Sequence, residues 1–178
     1  NDYWDANNSW QTQFQPIDHP ELDVHLVYDY PKPDNITTQQ QDYIKNFINE
    51  FETALYGLNF TDPNQGYAKY IDVNSFIDYL IINELARNND GFKKSSYFHK
   101  DKDSTTAIAK LNAGPVWDFN LAFGNADYYN GWMTNGWQLE YLTTYQNIPL
   151  DEPFLTPFWW RKLFDDPDFR NNVYSRWQ

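Results

Sequence analysis

The apolar residues in the middle of the chain recur at the spacing of amphipathic helices. In the first segment they are Ile44, Phe47, Ile48, Phe51 and Leu55. Residues three or four apart share a helix face, so this pattern predicts one long helix that stops at Gly57. A second helix is predicted to begin at Asp72, a residue suited to an N-cap, and to end near Asn88. Its buried face is expected to carry Phe76, Ile77, Leu80, Ile81 and Leu85.

Shorter stretches have the alternation that is typical of strands. Residues 22–30 alternate in this way up to Pro31, which predicts a first strand. Residues 1–20 are polar and are expected to form an irregular entry loop or an arm over the body of the protein. The N-terminal part is therefore predicted to contribute one strand.

A hairpin is predicted after the second helix. Its strands are placed at residues 96–100 and 107–112, with a turn at residues 101–104 between them. Gly114-Pro115 then breaks the second strand. This order predicts that a helix, a turn and a hairpin follow one another closely in space.

The rest of the chain is predicted to be a long loop followed by helix. Residues 124–150 are rich in Gly, Asn, Tyr and Trp, which favours a surface loop, and residues 157–178 return to helical spacing with a break at Asp166-Pro167. We predict a single α+β domain over residues 1–178, in which several amphipathic helices pack on a small antiparallel sheet with a hairpin.

Composition narrows the classes of function. The 178 residues carry a formal charge of -12, which argues against a nucleic-acid partner because a phosphate backbone requires concentrated Lys and Arg. No run is long and apolar enough to span a membrane, and the absence of cysteine excludes disulfides, thiolate metal sites and cysteine nucleophiles. The aromatic content of 20% fits either a packed core or exposed rings that bind a ligand.

Two aspartates occupy junctions where a side chain can leave the packed layers. Asp90 follows the second helix and precedes Gly91, while Asp118 follows the hairpin. Phosphoryl transfer requires two acids of this kind, one beside the acceptor hydroxyl and one on Mg²⁺. Aspartate is also a common turn residue, so the two positions alone leave an ordinary structural interpretation open.

The longer strings around these aspartates resemble the CotH kinase family, which comprises spore-coat-like atypical protein kinases. The first string is Glu84-Leu85-Ala86-Arg87-Asn88-Asn89-Asp90-Gly91-Phe92-Lys93-Lys94-Ser95-Ser96-Tyr97-Phe98. The second is Lys110-Leu111-Asn112-Ala113-Gly114-Pro115-Val116-Trp117-Asp118-Phe119-Asn120-Leu121-Ala122-Phe123-Gly124-Asn125. Weaker likeness extends over most of residues 22–178. The resemblance implies the C-terminal portion of an atypical protein-kinase-like catalytic lobe, with the upstream lobe absent.

The resemblance also implies roles for individual residues. Asp90 matches the catalytic aspartate and Asp118 the metal-binding aspartate, with Mg²⁺ and ATP as cofactors. Asn120 stands where a second acid is expected, and Ser95 stands where kinases place an asparagine for a second ion. Either Ser95 replaces that asparagine, or one of the two ions is bound weakly.

Other positions are candidates that also have plain structural explanations. Lys93 and Lys94 could contact phosphates or form a solvated edge. Trp117 is expected to bury its ring beneath Asp118 and fix its direction. Trp132 and Trp137 could contact a substrate or glycan, or pack against the body.

The resemblance therefore implies that the parent protein transfers phosphoryl groups from ATP to Ser or Thr of a protein substrate. Two alternatives remain: a non-catalytic surface module of the cell envelope that binds carbohydrate or protein through residues 124–150, and a pseudokinase that has lost turnover at Ser95 and Asn120. An extracellular or cell-envelope location is expected, as in bacterial proteins of similar aromatic content.

Overall fold

The computed structural model describes residues 4–17, 19–144 and 155–178. Within these ranges the fold is mixed α+β, with two antiparallel two-stranded sheets and five α-helices. The helices are α1 (Thr38–Tyr56), α2 (Val73–Ala86), α3 (Gln138–Leu142), α4 (Trp159–Leu163) and α5 (Pro167–Trp177). The strands are β1 (Ser9–Gln11), β2 (His25–Val27), β3 (Phe98–Lys100) and β4 (Leu111–Ala113). The predicted fold class is confirmed, although the strands form two sheets.

Both long helices begin at side chains that cap them. The Thr37 hydroxyl accepts the Gln40 N–H, and the Gln40 side chain accepts the Thr37 N–H, which closes a capping box. Asp72 accepts the N–H of Ser75 at 2.8 Å and is the N-cap of α2, as predicted. Helix α2 ends at Ala86, slightly earlier than predicted, because Arg87 adopts a left-handed conformation with φ 48°.

The predicted buried face of α2 is wrong at its last position. Phe76, Ile77 and Leu80 are buried, whereas the side chain of Leu85 is 61% exposed. Ala86 and Asn83 are buried instead, three positions apart on the face that meets the body at this end of the helix. Because Asn83 is polar, the hydrophobic pattern did not indicate that the buried face of α2 passes through Asn83 and Ala86 at this end.

The first sheet contains a strand that the sequence pattern did not predict. β1 pairs with β2 so that Trp10 lies opposite Leu26, and β2 is shorter than the predicted strand. The expectation of an irregular arm over residues 1–20 is therefore wrong around Trp10. With one large apolar residue among three, β1 has no alternation to detect.

The second sheet confirms the predicted hairpin but not its turn. β3 pairs antiparallel with β4, and residues 101–110 connect them, a longer link than the predicted four-residue turn. Asp103 organises this link by accepting bonds from Lys100 Nζ at 2.6 Å, from Tyr43 Oη and from the Ala109 N–H. The Lys100 ammonium and these donors lower the pKa of Asp103 to about 2.

Two adjacent tryptophans of α4 form the centre of the core. Trp159 packs edge-on against Phe51 of α1, with ring centroids 5.1 Å apart, and Trp160 lies 5.3 Å from Phe76 of α2. Both tryptophans also contact Phe98 of β3. The core thus joins α1, α2, α4 and the hairpin, and the hairpin positions the chain that follows it.

The C-terminal segments also follow the predicted break. Asp166 caps α5 by accepting the Asp168 N–H at 2.9 Å, and Pro167 occupies the first turn. The predicted loop over residues 124–150 contains the short helix α3, and its last residues lie outside the described ranges. Among the helices described, none is long and apolar enough to cross a bilayer.

Candidate catalytic site

The turn after α2 fixes the backbone of Asp90. The Asp90 carbonyl accepts three amide N–H groups, from Lys93 at 3.2 Å and from Lys94 and Ser95 at 3.0 Å each. The Asp90 N–H donates in turn to Asn88 Oδ1 at 3.3 Å. Asp90 therefore projects from a closed turn whose backbone groups are paired, as a side chain with a defined direction requires.

A glycine is necessary at the next position for steric reasons. A Cβ on Gly91 would lie 2.0 Å from Oδ1 of Asn83. Asn83 is buried, donates to the Tyr79 carbonyl at 2.9 Å and accepts from Asn88 Nδ2 at 3.1 Å. The Asp90 turn thus rests directly on a hydrogen-bonded asparagine pair.

Asp118 lies on a second turn, beyond β4. Gly114 has φ 122°, and Asp118 itself is left-handed with φ 58° and begins a 3-10 turn over Phe119–Leu121. Aspartate tolerates this conformation better than most residues do. Asp118 is exposed, and its carboxylate accepts no hydrogen bond from the residues that the structure describes.

The two aspartate turns are fastened to the same end of α2. The N–H of Phe123, five residues after Asp118, donates to the Ala86 carbonyl at 2.7 Å. Asp90 follows Ala86 by four residues. The turn that carries Asp90 therefore follows the C-terminal end of α2 in the chain, and the segment that carries Asp118 is hydrogen-bonded to the same end through Phe123.

The remaining predicted site residues have different surroundings. Ser95 is buried, and its carbonyl accepts from Tyr79 Oη at 3.3 Å. Asn120 is exposed, and its carbonyl accepts from Asn125 Nδ2 at 2.6 Å. Lys93 places its ammonium 4.0 Å from the centre of the Tyr129 ring, whereas Lys94 is exposed.

The predicted role of Trp117 as a buried support is wrong. Its side chain is 62% exposed, because the strand alternation ends at Gly114 and the following residues run along the surface. Trp132 is also exposed, at 55%. Trp137 is half-buried and packs against Phe164 and Trp177, which agrees with the packing alternative.

The sequence interpretation missed a buried polar network between the Asp90 turn and residues 128–139. Asn89 is fully buried and donates from Nδ2 to the Tyr128 carbonyl at 2.8 Å. Gln138 is also fully buried, and its Nε2 donates to Asn89 Oδ1 at 2.7 Å and to the Tyr129 carbonyl at 2.9 Å. Gly131 is close-packed here, since a Cβ on it would lie 2.8 Å from Asn89 Nδ2.

Two charged residues complete this network, Glu84 in α2 and Arg87 at its C-terminal cap. Glu84 accepts the N–H groups of Gln138 and Leu139 at 2.7 Å each and so caps α3, and burial raises its pKa to about 6. Arg87 donates to the Asn130 carbonyl at 2.9 Å and to the Gly136 carbonyl at 3.0 Å. Polar residues such as these resemble an ordinary loop in sequence, so the only available signal was the density of amides beside Asp90.

Comparison with known proteins gives one match. The family model described as CotH kinase protein matches residues 5–178. No curated protein and no solved structure matches the chain.

Proposed function

Because the chain belongs to the CotH kinase family, we propose that the full-length protein transfers the γ-phosphoryl group of ATP to a Ser or Thr hydroxyl of a protein. Family membership supports a kinase-like protein with a nucleotide, a divalent cation and a protein substrate. The observation that carries the assignment to this site is the fastening of the Asp90 and Asp118 turns to one end of α2.

The oxygen ligands of the second turn fit Mg²⁺. Asp118 offers an exposed carboxylate that the described residues leave unpaired, and Asn120 follows with an amide oxygen. Mg²⁺ is typically bound by one or two carboxylates together with phosphate and water, so a small protein ligand set suffices. We assign the ion to Asp118 and Asn120, with the Ser95 hydroxyl as a candidate ligand on the other turn.

Asp90 is assigned to the acceptor hydroxyl. When bound, ATP would supply the phosphoryl group and Mg²⁺ would neutralise the negative charge of the phosphates. Asp90 accepts the hydroxyl proton as the acceptor oxygen bonds to phosphorus and the bond to the β-phosphate oxygen breaks. Lys93 and Lys94 follow on this turn and are the candidates for phosphate contact, with Lys94 exposed and the Lys93 ammonium 4.0 Å from the centre of the Tyr129 ring.

The test is phosphoryl transfer from labelled ATP to a Ser-rich basic protein by the full-length protein. Asp90→Ala is expected to lower kcat by about 10²- to 10⁴-fold, the usual contribution of a general base. Asp118→Ala is expected to abolish Mg²⁺-dependent transfer. Asp101→Ala is the matched control, because Asp101 is exposed in the link between β3 and β4. Undiminished label transfer by Asp118→Ala would overturn the metal assignment.

Exposed aromatic rings favour a second candidate, a non-catalytic module that binds carbohydrate or protein. Trp117 and Trp132 present more than half of their side chains to solvent, and exposed rings commonly stack on sugars. Glycan binding that is lost in Trp132→Ala, together with no nucleotide binding by the full-length protein, would favour this candidate. Nucleotide binding without turnover would instead indicate a pseudokinase.

A further inference from the structure

We propose that Asn89 and Gln138 are positioning residues for Asp90, and that they lock its turn to the aromatic segment formed by residues 128–137. This inference rests on the proposed function of Asp90. It concerns two amides that contact neither of the assigned aspartates through their side chains, so their effect on the reaction is through the backbone of the turn.

The contacts of Asn89 explain how the turn is fixed. Asn89 precedes Asp90 in the chain, and its side chain is bound at both ends, with Nδ2 on the Tyr128 carbonyl and Oδ1 on Gln138 Nε2. A buried side chain paired in two directions cannot rotate without breaking a hydrogen bond. The peptide bond that leads into Asp90 is therefore restrained from this side, while the Asp90 carbonyl is restrained by three N–H groups on the other.

Gln138 holds the opposite side of the contact. Its Nε2 bridges Asn89 Oδ1 and the Tyr129 carbonyl, and both are acceptors, which fixes the orientation of the amide. Its backbone N–H is bound by Glu84 of α2. Gln138 Oε1 is buried and finds no donor among the described residues. An unsatisfied amide oxygen is costly in a core, and the two bonds that the amide nitrogen makes offset that cost.

Packing beside Asn89 is tight at Gly131. Gly131 approaches Asn89 so closely that a Cβ would lie 2.8 Å from Nδ2 and 2.9 Å from the Ala126 Cβ. The aromatic segment, which includes the exposed Trp132, is therefore fixed relative to the catalytic turn. A displacement of about 1 Å at a catalytic group costs on the order of 10²-fold in rate, so small shifts of this contact reach the chemistry.

The experiment compares kinetics and exchange in the full-length protein. Gln138→Leu fills similar space but removes both bonds of Nε2, and Asn89→Asp keeps the acceptor for Gln138 while removing the donor to Tyr128. The matched control is Tyr67→Phe, which removes the buried hydrogen bond to Asp166 at 2.6 Å. Tyr67 lies before the N-terminal end of α2, whereas the Asp90 turn follows its C-terminal end. The 14 residues of α2 separate these two ends by about 21 Å.

Gln138→Leu is expected to lower kcat by about tenfold to a hundredfold while the KM for ATP stays within about twofold. Asn89→Asp is expected to lower kcat at least as far, because it loses the donor to Tyr128 and places a buried carboxylate oxygen against the Tyr128 carbonyl. The amide hydrogens of Lys93, Lys94 and Ser95, which bind the Asp90 carbonyl, are expected to exchange faster in Gln138→Leu and unchanged in Tyr67→Phe.

Two results overturn the inference and one overturns its premise. Unchanged kcat in Gln138→Leu, alongside an inactive Asp90→Ala, would show that the amides do not position Asp90 while the proposed function stands. An equal loss of kcat in Tyr67→Phe would show that the effect is general destabilisation. Full activity of Asp90→Ala would remove the proposed role of Asp90 itself. If Gln138→Leu does not fold, Asn89→Asp and the exchange of the three amides decide in its place.

Discussion

Glu52 is a fully buried carboxylate whose bonds come from neutral donors. Its Oε1 accepts from Trp159 Nε1 at 2.8 Å and its Oε2 accepts the Gln13 N–H at 3.1 Å. Burial raises its pKa from 4.5 to about 7, more than these hydrogen bonds lower it. Below about pH 7 the protonated form is thus favoured in the folded protein, where the side chain links α1, α4 and the N-terminal segment.

This pKa predicts a loss of stability as pH rises. Below pH 4.5 Glu52 is protonated in both folded and unfolded chains, and between pH 4.5 and about 7 only the folded chain retains the proton. The contribution, roughly 3 kcal/mol, is therefore lost as pH rises through this range. Urea unfolding from pH 4.5 to 8 should show the decline in wild type and a smaller one in Glu52→Gln, where the raised pKa of Glu84 still contributes. An identical decline in both proteins would contradict the assignment to Glu52.

At this scale the sequence identified individual aspartates better than their surroundings. Asp90 and Asp118 were recognisable because each follows a predicted element and stands in a distinctive string. Their supports were not, since Asn89 and Gln138 are far apart in sequence and neither is apolar. The exposure of Trp117 could not be predicted either, because the Gly114-Pro115 break indicates where the strand ends but not in which direction the following residues run.

The joint between α2 and the Asp90 turn is an element-scale feature that depends on one glycine. Gly91→Ala would place a Cβ in the space of Asn83 Oδ1 and displace the buried asparagine pair. We expect a loss of about 2–3 kcal/mol in the free energy of unfolding, from steric strain and unpaired buried amides.

The control for this change is another glycine at a helix end. A Cβ on Gly57 would meet the Thr53 carbonyl at 3.2 Å, a contact that small shifts relieve. Gly57→Ala is expected to cost less than about 1 kcal/mol, within the common range for tolerated substitutions. Urea denaturation measures the free energy of unfolding of both variants. Equal losses would show that the contact between the new Cβ at position 91 and Asn83 costs no more than the contact at Gly57.

Elements with long hydrophobic periods were predictable, whereas short ones were not. Helices α1 and α2 are recognisable from the spacing of their apolar residues, and each begins at a capping side chain, Thr37 or Asp72. Strand β1 has three residues, and the link between β3 and β4 is organised by the side chain of Asp103. Such elements are defined by partners distant in sequence, which a local pattern does not contain.

At the scale of the whole molecule, the two adjacent tryptophans of α4 lie in the same core but differ in the hydrogen bonding of their indole N–H groups. Both are fully buried, but Trp159 Nε1 donates to Glu52, while Trp160 Nε1 has no partner among the described residues. Trp159→Phe and Trp160→Phe remove the same atoms from adjacent positions. The difference between them therefore combines the loss of the bond to the carboxylate at Trp159 with the removal of a buried unpaired N–H at Trp160.

We expect Trp159→Phe to be the more destabilising of the two at pH 8, by about 1–3 kcal/mol, because it leaves a buried charged carboxylate short of a donor. The difference should shrink near pH 5, where Glu52 is protonated in the folded chain. Thermal or urea unfolding at the two pH values tests this. Equal destabilisation at pH 8 would mean that the bond contributes little.

Two carboxylates inside the fold, the fully buried Glu52 and the half-buried Glu84, bear on how the protein responds to ionic strength. Glu52 and Glu84 are bound by N–H groups of the backbone and of an indole rather than by ammonium or guanidinium partners. Dissolved ions screen charges at the surface far more than buried hydrogen bonds. With a formal charge of -12, the exterior repels itself, and added salt weakens that repulsion without loosening the interior. We therefore expect added salt to raise the free energy of unfolding, in spite of its screening of exposed ion pairs such as Arg176–Asp78.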